Sequence, residues 1–110
     1  MSFITEWEEL AAEVKKTARA KGWSVDKFTA VSQSIALMHS ELSEALEADR
    51  SGNPPSEHIP PFTGIEEELA DLVIRIMHNA AVRGWRVPEA VIMKMQFNRT
   101  RPRRHGGKRY

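Results

Sequence analysis

Two pairs of acids, each inside a run with helical periodicity, constrain this chain more than any other feature. Glu41-Leu-Ser-Glu44 and Glu68-Leu-Ala-Asp71 give ExxE, a gap of 23 residues, then ExxD. A spacing of three puts both carboxylates of a pair on one helical face, about one turn apart. At about 100° per residue, Glu41 falls in the middle of an arc with Val31, Ile35, Leu37, Met38, Leu42 and Ala45, with Glu44 at its edge. Glu68 sits among Ile65, Leu69, Leu72 and Ile76, with Asp71 at the rim. The expectation is two helices that each carry two acids along the face turned toward the core.

Carboxylates gathered in a helical interior repel one another and lose hydration, and even one unpaired buried ion is strongly unfavourable. A cation is therefore expected among them. A hard divalent ion suits the donors: Mg²⁺, with Mn²⁺ as a substitute, takes oxygen ligands and keeps waters that can serve as nucleophiles. A solvated position is the ordinary state of a single helical acid, but it explains two such pairs within apolar stripes poorly. Glu41, Glu44, Glu68 and Asp71 are thus the candidate metal ligands and catalytic residues.

The 110 residues read as one all-α domain, 1–110, long enough for a modest core and short enough that oligomerisation would add to it. The absence of cysteine excludes disulfides, zinc thiolate sites and thiol nucleophiles. No apolar run approaches the length of a membrane span, and Glu6, Glu8 and Glu9 do not fit a secretory signal, so a cytoplasmic protein is expected. The net charge of +1 conceals an asymmetry. Residues 1–93 hold 9 Lys/Arg against 15 Asp/Glu, whereas residues 94–110 hold 7 Lys/Arg and no acid. An acidic body with a basic tail suits either nucleic-acid binding or a tail that folds toward a polyanion held by metal on the body.

Helix ends are legible from local chemistry. Trp7, Leu10, Ala11, Val14 and Ala18 share one face of a first helix over 3–20, with Gly22 as its stop. Trp23 follows directly, as either a core plug or a wall for a ligand's base. A second helix is expected from near Asp26 to about Asp49. Residues 51–64 contain four of the six prolines and form the main loop, a lid or spacer between the acid-bearing helices. His58, in that loop, reads as a solvated side chain more readily than as a ligand. Thr63 with Glu66 forms a capping-box pattern at the start of a third helix ending at Gly84, and Val87-Pro88 starts a fourth.

The acid stripe of the third helix continues to Arg75 and Asn79. Arg75 is positioned either to pair with Asp71 or to reach a phosphate. On the fourth helix Lys94, Asn98 and Arg101 project from one side, three donors in a row. The tail, 102–110, is too polar and too rich in Gly and Pro to pack as a core element. Acids that hold a metal, facing cationic and amide donors, suit a substrate with several phosphates, and the natural reaction is hydrolysis of a phosphoanhydride. A glycine-rich phosphate loop is missing.

This combination resembles the MazG-like all-α nucleoside triphosphate pyrophosphohydrolases, whose signature is ExxE followed at variable distance by ExxD. Glu41-x-x-Glu44, Glu68-Leu-Ala-Asp71-Leu-Val-Ile-Arg75, Lys94-x-x-x-Asn98, Lys21-Gly22-Trp23 and the ending from Asn98 through Arg101 and His105 to Lys108 carry the resemblance. It implies a four-helix bundle, dimeric or tetrameric, that binds Mg²⁺ and cleaves a nucleoside triphosphate to monophosphate and pyrophosphate. By the same resemblance Glu41, Glu44, Glu68 and Asp71 hold metal, or one of the glutamates orients the attacking water. Lys94, Asn98, Arg101 and Lys108 contact phosphate or sugar, and Trp23 stacks on the base.

Two other readings compete with this one. A di-iron carboxylate bundle needs Glu-x-x-His on two helices, and no such pair follows Glu41, Glu44 or Glu68. A small nucleic-acid-binding module acting through the basic tail is the non-enzymatic alternative, against which the acidic body argues.

Overall fold

The computed structural model describes residues 2–103; Lys108 and His105, with the rest of the tail from 104 onward, lie outside the described residues. The described chain is all-α, with four helices: α1 (Phe3–Lys21), α2 (Val31–Arg50), α3 (Gly64–Arg83) and α4 (Val87–Thr100). None of them is long and apolar enough to cross a membrane.

The helix ends follow from side chains at their borders. Gly22 and Gly84 close α1 and α3 in the left-handed conformation that glycine adopts without a Cβ penalty. At the start of α3, the Thr63 hydroxyl accepts from the Glu66 amide while the Glu66 carboxylate accepts from the Thr63 amide, a reciprocal capping box. Pro88 opens α4, where its missing N–H costs no intrahelical bond. The start of α2 differs from expectation. Asp26 does not cap it: its Oδ1 accepts from the amides of Phe28 and Thr29 and makes a separate turn, and the helix begins at Val31. Asp serves turns and helix starts through the same side-chain bond, so its presence fixes neither.

Residues 51–63 form an ordered connection without helix. Asn53 takes a positive φ of 50°, which Asn tolerates, and its Oδ1 accepts from the Ile65 amide at 3.0 Å. Pro55 and Thr63 are bridged antiparallel. Beneath them the buried Ser56 hydroxyl accepts from the amides of His58 and Ile59 and donates to Glu67 of α3. The loop is therefore tied to the helix that carries the second acid pair.

Helix α3 is the common partner of α1 and α2, and α4 packs on α1. The buried apolar residues are small or flexible: Ala11, Ala18, Ala45, Met77 and Ala80. On α2 the buried positions are Ser34, Glu41 and Ala45. Val31, Ile35, Leu42 and Leu46, expected in part to share the core-facing arc with Glu41, are instead exposed, about a quarter-turn around the helix from the buried face. From Val91 onward α4 is exposed throughout. A radius of gyration of 16.5 Å against about 13 Å for a compact chain of this length agrees with helices that are only partly closed on one another.

Candidate metal centre

Glu41 projects from the middle of α2 into its contact with α3 and is only 6% exposed. The placement follows from two small residues, Ser34 two helical turns before it and Ala45 one turn after it, which let α3 approach. Arg75 of α3 reaches across, and its Nε donates to Glu41 Oε1 at 3.0 Å. Asp71, the other candidate partner for Arg75, is not the one it bonds. The second oxygen of Glu41, Oε2, is buried and has no hydrogen-bond partner among the described residues. Oε2 of Glu68, facing it from α3, is in the same condition.

The structure brings together the acids of the two motifs. Carboxylate oxygens of Glu41, Glu44 and Glu68 lie within 4.8 Å of one another, as do those of Glu67, Glu68 and Asp71, so Glu68 belongs to both groups. Glu41 forms the floor and Glu44 the exposed rim. Glu67 was not singled out from the sequence. The signal that could have found it is its i, i+4 relation to Asp71, which places the two on one face. Glu67 also accepts from Ser56, and its Oε2 lies 2.8 Å from His58 Nδ1, so His58, though exposed, is paired rather than merely solvated.

Electrostatics follow from this crowding. Burial, then the neighbouring carboxylates of Glu44 and Glu41, push the Glu68 pKa up to about 8. Ionised carboxylates only accept, so a proton on Glu68 supplies the donor that the group otherwise lacks. Burial, followed by Glu41 and Glu67, also raises Asp71, with Arg75 opposing. The hydrogen bond from Ser56, then that from His58, holds Glu67 low, and the hydrogen bond with Glu67 raises His58.

All ligand atoms in both groups are carboxylate oxygens, a donor set for hard cations such as Mg²⁺ or Mn²⁺ and not for soft ones. The buried, donorless oxygens of Glu41 and Glu68 fit such an ion, because coordination would satisfy both at once.

The remaining candidates divide. Trp23 is 68% exposed, so it is not a core plug. It lines an open groove of about 990 Å³ together with Leu10, Val14, Glu41, Asp71 and Arg75. Lys94, Asn98 and Arg101 are not brought to the acids within one chain. Lys94 and Asn98 line a shallow apolar surface of α4 with Val91 and Met95, and the Lys94 ammonium sits 4.6 Å over the Phe97 ring. Searches against protein-family models, curated proteins and solved structures gave no match.

The Glu68 shift has a consequence for stability. The folded chain keeps this proton to about pH 8, while the unfolded chain releases it near the ordinary value of 4.5. Between those values the folded state binds more protons, so this group's contribution to stability falls as pH rises. Denaturant titrations of the metal-free protein from pH 5 to 9 should therefore show Glu68→Gln gaining stability relative to wild type up to about pH 8, then holding level. A pH-independent difference would contradict the assignment.

Proposed function

We propose that this protein is a Mg²⁺-dependent nucleoside triphosphate pyrophosphohydrolase of the MazG-like kind, with Mn²⁺ as a substitute ion, acting as a homo-oligomer. The observation that carries the reading is the buried Glu41 carboxylate, one oxygen fixed by Arg75 and the other without a donor, within 4.8 Å of Glu44 and Glu68. Burying that much negative charge is unfavourable unless a cation completes it.

In this reading Glu41, Glu44, Glu68 and Asp71 hold the ion. When bound, it supplies positive charge for the phosphate oxygens at the reacting phosphorus. Arg75 fixes the orientation of Glu41 through Nε. Glu44, exposed at the solvent edge, would hold the ion through one carboxylate oxygen and with the other orient a water and take its proton. Water oxygen bonds to the α-phosphorus, the bond from that phosphorus to the α–β bridging oxygen breaks, and monophosphate and pyrophosphate leave. Trp23, on the groove that also contains Glu41 and Asp71, offers a flat wall for the base. Lys94, Asn98 and Arg101 would meet the phosphates from a second copy's α4, because α4 of the same chain packs on α1.

The oligomer finds support in the apolar stripes. Val31, Ile35, Leu42 and Leu46 of α2 and Leu69 and Val73 of α3 are each 40% or more exposed. Apolar side chains this exposed on two helices favour an association that removes them from water.

Incubating the purified protein with a panel of NTPs and dNTPs plus Mg²⁺ should release pyrophosphate and the monophosphate. Orthophosphate alone would reject the chemistry. Glu41→Gln should lower kcat by about a hundredfold or more with helicity by circular dichroism unchanged; a fully active variant would remove Glu41 from the site. In analytical ultracentrifugation the wild type should sediment as a dimer or larger, and Leu42→Glu with Leu46→Glu should shift it toward monomer. A monomeric wild type would contradict the oligomer.

A further inference from the structure

His78 is buried on α3, 8% exposed, and its Nε2 has no hydrogen-bond partner among the described residues. It lies at the junction of two spaces. One is the groove that contains Trp23, Glu41, Asp71 and Arg75. The other is a smaller recess of about 230 Å³ behind Trp23, bounded by Ser24, Gln33, Ser34 and Asn79 and sharing Trp23, Arg75 and His78 with the groove. At about 30 Å³ per water, the recess has room for one ring system rather than a whole nucleotide.

Most of the buried polar groups around the recess are already occupied. Asn79 donates to the Arg75 carbonyl and accepts from Arg83 Nε, each at 2.9 Å, and Ser34 Oγ accepts from Arg83 Nη2 at 2.9 Å. His78 Nε2 alone among them is both buried and unpaired. Burial, then the charge of Lys15, lowers its pKa, which keeps the ring neutral and able to donate or accept one hydrogen bond at that nitrogen. A buried polar atom left without a partner is costly, and a ligand with a polar edge would relieve that cost.

We infer that His78 is a specificity-determining residue: with Trp23 against the face of a nucleobase in the recess, the imidazole turns so that Nε2, sealed from the recess in the ligand-free chain, hydrogen-bonds to the base edge and selects among bases. This rests on the nucleotide-hydrolysing function proposed above and adds to it the group that reads the base. A site built to hydrogen-bond a ligand rejects analogues lacking the matching group more strongly than an apolar pocket can. The selection therefore shows as a ratio of kcat/KM between bases rather than as overall activity.

The test compares kcat/KM for the four dNTPs in wild type, His78→Leu and His78→Gln, the last placing an amide nitrogen at similar reach. His78→Leu should flatten the ratio between best and worst base by about tenfold or more, and His78→Gln should restore part of the preference. In parallel, ¹⁵N spectra of the wild-type imidazole ring are recorded during titration with the monophosphate of the preferred base; Nε2 should shift on saturation while the exposed His39 does not. An unaltered base ratio in a folded His78→Leu, or a wild-type Nε2 resonance that ignores saturating monophosphate, would overturn the assignment and leave the hydrolase reading intact. No hydrolysis of any nucleotide by wild type would instead overturn both.

Discussion

Two carboxylate oxygens, one on Glu41 and one on Glu68, are buried without a hydrogen-bond donor among the described residues, and the arrangement around them answers to that condition. Arg75 satisfies half of Glu41 and none of Glu68. The proton retained on Glu68 up to about pH 8 is the metal-free protein's partial remedy. The proposed divalent cation would be the fuller one, because it would meet several oxygens at once and offset both the burial and the mutual repulsion that raise Glu68 and Asp71. Small residues on α2 allow the close approach of α3 that makes the burial possible. The loop over 51–63 fixes Glu67 at the edge of the same cluster through Ser56 and His58.

The same chain presents a second imbalance, apolar rather than charged. The buried apolar residues are mainly alanines, while Leu42, Leu46, Met93 and Phe97 face outward. Hydrophobic association is roughly proportional to the apolar area removed from water, so these stripes favour a second copy. The two imbalances meet in the proposed hydrolase: an oligomer would cover the stripes and bring an α4 carrying Lys94 and Asn98 toward acids that its own α4 does not approach.

Much of the fold was legible because helix ends are written in local chemistry. Gly22, Gly84, the Thr63–Glu66 box and Pro88 each sit where their backbone preference requires. The start of α2 was not, since Asp26 makes the same side-chain bond in a turn as at a helix cap. The meeting of Glu41, Glu44, Glu68 and Asp71 around Glu68 was readable from two spacings and a periodicity. Periodicity cannot tell a face buried by its own chain from one left for a partner, which is why Leu42 and Ile35 were placed in the arc around Glu41. Glu67 lay hidden beside the capping residue Glu66 and the motif residue Glu68, and its ties to Ser56 and His58 depend on how the loop folds back. His78 carries no motif at all; only its burial without a partner marks it.

The proposed cation is the point on which the rest turns, and Mn²⁺ titration tests it most directly. Metal-free protein at pH 7 would be followed by electron paramagnetic resonance for free Mn²⁺, with calorimetry in two buffers of different ionisation enthalpy to count protons. Saturable binding with release of protons is expected, because Glu68 is protonated there and must give up its proton to a ligand role, and Mg²⁺ should displace the Mn²⁺. A signal that tracks total Mn²⁺ throughout, with no proton released, would contradict a metal centre built on Glu41, Glu44, Glu68 and Asp71.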